Sequence, residues 1–143
     1  MNFEDTTSYT LTKTGTVHKN MLEKKMKAIG LHSGQVFVLM ELWKRDGQRQ
    51  IDLAARLRLT PPTINKILGG LLESDFVTRA RYEDDARSTR IYLTQKGLSV
   101  RRDLEDKWAE LEEETLRNLT NTERLMFDQL LRKLFQFDGQ ANY

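Results

Sequence analysis

Apolar positions along residues 33 to 97 recur first at helical spacing and then at strand spacing, and the switch predicts the elements. Ser33 can cap a helix in which Val36, Leu39, Met40 and Trp43 fall at i, i+3, i+4 and i+7, and Asp46-Gly47 ends it. A short helix follows over Gln50 to Leu57, with Ile51, Ala54, Ala55 and Leu57 inward and two alanines that permit a close crossing. After a two-residue turn, Thr60 is an N-cap, and Pro61 and Pro62 fit a first turn whose amides need no intrahelical partner. Ile64, Ile67, Leu68 and Leu71 then form one apolar stripe. Opposite them lie Pro62, Thr63, Asn65 and Lys66, and Gly69-Gly70 add little bulk. Asp75 is a plausible stop, since aspartate tolerates the left-handed conformation better than most residues. Phe76 to Arg81 and Thr89 to Leu93 read as two strands joined by the polar turn Tyr82 to Ser88. Two short helices, a tight turn and a charged hairpin in this order describe a winged helix-turn-helix, whose second helix enters a DNA major groove.

Flanking this lobe, the rhythm is helical throughout. Ser8 to Ala28 shows weak helical periodicity through Leu11, Val17, Met21 and Met26. Thr94 can cap a long helix with Leu104, Trp108, Leu111 and Thr115 at 4-3-4 spacing. Thr120-Asn121-Thr122-Glu123 is a capping-box pattern opening a last helix with Met126, Leu130, Leu134 and Phe137 inward. The expected fold is therefore mainly α with a small β-wing, one domain over 1–143. Within it, residues 33–97 form the winged-helix lobe, and residues 8–28 and 98–137 form dimerisation helices. Trp108, Leu111, Leu116, Phe127, Phe135 and Phe137 offer more apolar surface than one small winged domain can cover. Either a second copy covers them, or they close over the domain's own core.

Charge sharpens this picture. Residues 1–43, 44–97 and 98–143 carry net charges of +1, +4 and −3, so the positive charge coincides with the winged lobe and can replace counterions on phosphates. The 143 residues suffice for one ordinary domain. The acidic start Met1-Asn2-Phe3-Glu4-Asp5 is no secretory signal, and no apolar run approaches membrane-spanning length, so a cytoplasmic protein with no membrane partner is expected. There is no cysteine, which excludes disulfides, thiolate ligands and thiol redox sensing. The only histidines, His18 and His32, lie in no nucleophile motif. Even with Glu4, Asp5 or Glu23 they form no recognised metal-ligand spacing, and no phosphate-cradling glycine pattern exists. No enzyme, no cofactor and no metal are expected.

The chain resembles the MarR family of transcription regulators over most of its length. The resemblance is carried by Gly34-Gln35-Val36 with Leu39, Leu53-Ala54, Thr60 to Lys66, Leu71, and Phe76-Val77-Thr78-Arg79. Asp85-Ala86-Arg87 followed by Leu93-Thr94-Gln95-Lys96-Gly97 is its most specific piece. Two residues depart from the family pattern: Asp75 replaces a glycine, and Arg49 stands where a threonine cap is expected. The resemblance implies a homodimeric, repressor-like regulator on a pseudo-palindromic operator, with a wing from each subunit in a minor groove. It also implies a small aromatic or anionic effector between the dimer helices and the DNA-binding lobe. Leu39, Trp43, Val100 and Leu104 are the expected lining of that pocket.

Individual residues take roles from this frame. Pro62, Thr63, Asn65 and Lys66 form the groove-facing set. Asn65 suits adenine and Thr63 a thymine methyl or a phosphate, with phosphate contact or plain exposure as the alternative for both; Lys66 is a phosphate ligand. Arg87 at the wing tip is the minor-groove residue, or else pairs with Glu83 or Asp84. Asp85 shapes the wing by pairing with Arg79 or Arg81. Ser33, Arg56 and Arg90 are lesser phosphate candidates. Leu11, Val17, Leu116, Phe127, Leu134, Phe135 and Phe137 are the expected dimer interface. Two other readings compete with a sequence-specific regulator: a winged-helix protein-interaction module, and a ligand-independent, nucleoid-type DNA binder.

Overall fold

A computed structural model describes residues 1–81 and 89–135. A short 3-10 turn, Phe3–Asp5, precedes α1 (Thr7–Lys27) and α2 (Ser33–Lys44); β1 (Gln48–Arg49), α3 (Gln50–Leu57) and α4 (Pro61–Glu73) follow. Then come β2 (Val77–Ala80), β3 (Arg90–Leu93), α5 (Gln95–Leu116) and α6 (Asn121–Leu134). The chain divides into two compact units, Met1–Trp108 and Ala109–Tyr143. Among the described residues, no helix is long and apolar enough to cross a membrane, and no acidic or histidine cluster could hold a metal ion.

In the first unit, Val36, Val38, Leu39, Leu42, Leu53, Ile64, Leu68, Leu71, Val77 and Ile91 are almost wholly excluded from solvent. This core closes α2, α3 and α4 over a three-stranded antiparallel sheet of order β1-β3-β2. Val77 pairs with Leu93 and Ala80 with Arg90, while Gln48 pairs with Ile91 on the other side of β3. The strand β1 has no sequence signature, because two residues are too short to show alternation. Leu53, Ala54 and the half-buried Leu57 form the inner face of α3, whereas Ile51 and Ala55 point outward, contrary to the expected pattern. The helix begins one residue before Ile51, and 3.6-residue periodicity then directs Leu53, Ala54 and Leu57 together. Met40 and Trp43 are half-buried at the margin of α2.

Helix starts follow cap chemistry. Thr60 Oγ1 accepts from Thr63 N at 3.4 Å, with Pro61 and Pro62 in the first turn of α4. The N-cap of α2 is His32, not Ser33. The His32 amide donates to Gln35 Oε1 at 3.0 Å, while the Ser33 amide and hydroxyl both donate to Glu23 of α1. Ser33 is thus held by a carboxylate ten residues upstream, a contact no local pattern announces. Helix ends use positive φ: Asp75 at +62° after α4 and Arg58 at +52° after α3. Thr94 Oγ1 accepts from Gly97 N at 3.0 Å and donates to Asp75 O at 2.6 Å, so the cap of α5 also ties that helix to the end of α4.

In the second unit, Thr120 and Glu123 complete a reciprocal capping box at the start of α6, with Thr120 N to Glu123 Oε1 at 2.9 Å. Arg124 grips Glu113 through both guanidinium nitrogens, at 3.1 and 3.2 Å, closing the hairpin between the end of α5 and α6. Leu111 is buried. Met126, Leu130 and Leu134, expected inward, are all more than half exposed in the single chain, and α6 buries no residue. An amphipathic stripe requires an apolar partner, and the described residues of one chain leave this stripe exposed. Phe137 lies outside the described residues.

Candidate nucleic-acid interface

The outer face of α4 is built by what its inner face must do. Ile64, Leu68 and Leu71 are buried, so Pro62, Thr63, Asn65 and Lys66 are left exposed in the first turns. Depth of packing holds the helix in place. A Cβ at Gly70 would meet Gln35 Nε2 at 2.6 Å, and one at Gly34 would touch Ile67 at 3.6 Å, so α2 and α4 cross closely where both helices carry glycine. Such a rigid helix with a small, polar, N-terminal face has the shape for insertion in a major groove. Thr60 Oγ1 also donates to Thr63 Oγ1 at 2.9 Å, which fixes the Thr63 hydroxyl in the first turn.

Asn65 does not stand alone. Gln50 Nε2, from the first residue of α3, donates to Asn65 Oδ1. Gln50 is itself anchored by its backbone amide, which donates to Thr89 O at 2.9 Å at the base of the wing. Gln50 is a member of this face that sequence reasoning missed. The two residues are 15 apart, and only the crossing of α3 over α4 brings their side chains together.

The cations divide into tethered and open groups. Arg49 Nε and Nη2 donate to Asp52 at 2.9 and 3.1 Å, and this pairing holds the Asp52 carboxyl below its ordinary range, with Arg56 and Arg90 adding to the effect. Arg49 therefore meets the first turn of α3 through its side chain. Arg90 is half-buried and donates to Gly47 O at 2.8 Å, so its guanidinium ties β3 to the turn after α2. Arg56 and Lys66 are exposed on α3 and α4, and Arg79 and Arg81 are exposed at the base of the wing. Ser33 is half-buried, its hydroxyl committed to Glu23. Arg87 and Asp85 lie outside the described residues.

The four expected pocket residues sit differently from one another. Leu39, Val100 and Leu104 are buried at 0%, 7% and 2% exposure, so no water-sized space opens onto Leu39. Trp43 is half-buried; its indole Nε1 donates to Gly97 O at 3.0 Å, and the Arg101 guanidinium lies 5.7 Å from its ring centre. Arg101 also donates to Glu105 at 2.9 Å.

The sequence profile of the MarR family matches residues 31–89. Over 116 residues the chain is 28% identical to the HTH-type transcriptional regulator BilQ of Clostridium symbiosum, covering 81% of this chain and 78% of BilQ. Over 120 residues it is 28% identical to the HTH-type transcriptional repressor YetL of Bacillus subtilis, covering 82% and 71%. Among solved structures, a MarR transcriptional regulator from Methanosarcina mazei superposes with a TM-score of 0.77 at 26% identity, over 90% of this chain and 93% of that one. The S. aureus MepR–DNA complex superposes at 0.75 and 24% identity, over 94% and 98%. Bordetella bronchiseptica BpsR, whose DNA binding is regulated by 6-hydroxynicotinic acid, superposes at 0.81 and 18% identity, over 96% and 99%.

Proposed function

We propose that this chain is a DNA-binding transcriptional regulator of the MarR type and not an enzyme, and that it acts in the cytoplasm as a homodimeric repressor on a pseudo-palindromic operator. The observation that carries the DNA-reading role is the exposed set Thr63, Asn65 and Lys66 on a helix whose other side is locked in the core. Two such helices related by a twofold axis meet half-sites about 34–36 Å apart, one helical turn. Arg56, Arg79 and Arg81 then supply backbone contacts, with Arg87 of the wing in the minor groove and Ser33 at a phosphate only if it leaves Glu23. Support for the dimer comes from apolar side chains left exposed in the single chain: Leu11 and Val17 on α1, and Phe127, Leu134 and Phe135 on α6 or at its end.

An effector of aromatic-acid type finds matching chemistry at Trp43 and Arg101, an aromatic face beside a guanidinium. Its carboxylate would compete with Glu105 for Arg101. Such a ligand releases DNA only if it favours a subunit spacing unlike that of the half-sites.

Selection of bound fragments from a random duplex pool by purified protein tests the reading. A palindrome with half-sites one turn apart is the expected outcome. Recovery of no sequence preference, with affinity set by salt alone, would instead support the nucleoid-type binder.

A further inference from the structure

The contact between Gln50 and Asn65 has consequences for which base is read. An asparagine amide presents an acceptor at Oδ1 and donors at Nδ2, and the two ends point in different directions. With Oδ1 turned to the Gln50 Nε2 donor, Nδ2 is turned away from α3. Among the described residues, Asn65 has no other side-chain partner. Gln50 is a firm reference point, being half-buried, first in α3 and held through its backbone to Thr89 O. A free asparagine on a surface helix would sample both amide orientations and accept either donors or acceptors from a base edge. One clamped through Oδ1 cannot.

We propose that Gln50 is a specificity-determining residue, setting the base read by Asn65 by fixing which end of its amide faces the groove. The inference rests on the DNA-reading role of α4. Presented donor-first, Asn65 selects purine N7 and disfavours the cytosine edge, where an amino donor stands. The second lone pair of Oδ1 remains able to accept from adenine N6, so adenine is the preferred base. Gln50 itself keeps Oε1 and one Nε2 hydrogen for a neighbouring base or phosphate.

The test takes the best duplex selected by the full-length protein from a random pool and measures binding to all four bases at each half-site position. The variants are Asn65→Ala, Gln50→Ala, their double, and Gln50→Glu. Asn65→Ala should flatten preference at one symmetric position. Gln50→Ala should reduce preference there about 5–10-fold, a partial loss of one paired contact, and the double should lose no more than Asn65→Ala alone. The isosteric Gln50→Glu can only accept, so the Asn65 amide must turn and offer Oδ1 to the groove. The ranking at that position should then shift from adenine toward cytosine, which presents an amino donor and no N7, over a uniform loss from the added negative charge. A merely structural tie between α3 and α4 would lower the melting temperature without changing any base ranking. If Asn65→Ala alters one position and neither Gln50 variant changes the ranking there, the inference is overturned while the reading role of α4 stands. If Asn65→Ala alters no position, both fall.

Discussion

Gly97 occupies a place where no side chain fits. A Cβ there would lie 2.1 Å from the Phe76 carbonyl oxygen and 3.2 Å from Leu93 Cδ2, and backbone cannot give way as a flexible side chain can. Gly97→Ala should lift the first turn of α5 off the sheet at a cost of about 1–3 kcal/mol, seen as a lower urea midpoint. That contact gives physical content to the Leu93-Thr94-Gln95-Lys96-Gly97 motif: Thr94 caps α5, and Gly97 lets it approach. Lys66 makes the opposite kind of prediction, since it is exposed. Lys66→Ala should weaken operator and random duplexes alike and reduce the salt slope by about 1, measured by titrating affinity against salt. Single residues were legible where chemistry is local. Asp75 as a left-handed stop follows from aspartate's tolerance of that conformation, and φ is +62°. Arg58 at +52° was not legible, because arginine has no such preference and α3 simply ends there.

Between elements, the joint of α1 and α2 depends on one carboxylate. Glu23 accepts from both the hydroxyl and the amide of Ser33, at the start of α2, with His32 Nδ1 3.9 Å away. The Ser33 hydroxyl, then its amide, hold the Glu23 carboxyl below its ordinary value of 4.5, against a smaller opposing effect of burial. A lowered folded value means the contribution is fully present above pH 4.5 and is lost as pH falls through the folded value. Glu23→Gln should therefore lower the melting temperature at pH 7, and the gap to the parent should narrow as pH falls below 4.5 and passes through the lowered folded value. An unchanging gap across that range would show that the charge is not what matters. The same joint explains why Ser33 reads as a cap from sequence and is not one in space. A serine before an apolar helix is a cap by local rule, but here His32 holds the extended cap conformation and Ser33 is already the first helical residue, its amide and hydroxyl turned to Glu23.

At the scale of the whole molecule, α6 is the informative element. Its capping box is complete and its apolar side chains are exposed, Leu130 at 58% and Leu134 at 54%. Leu134→Glu should dissociate the proposed dimer, giving a monomer by sedimentation at micromolar concentration with weak operator binding. Because Leu134 is exposed in the single chain, helical circular dichroism should persist. Operator affinity and sedimentation unchanged from the parent would remove α6 from the interface. The helices of the lobe, the two paired wing strands, the caps at Thr60, Thr94 and Thr120, and the exposed polar face of α4 were all legible in the local pattern of residues. These follow from periodicity and from side chains acting within four residues, interactions that are the same wherever the segment lies. Long-range packing set the third strand β1, the outward turn of Ile51 and Ala55, the commitment of Arg90 to Gly47 and of Ser33 to Glu23, and the clamp of Gln50 on Asn65. Each of these depends on where a distant backbone or donor comes to rest, and the packing of buried side chains sets that position.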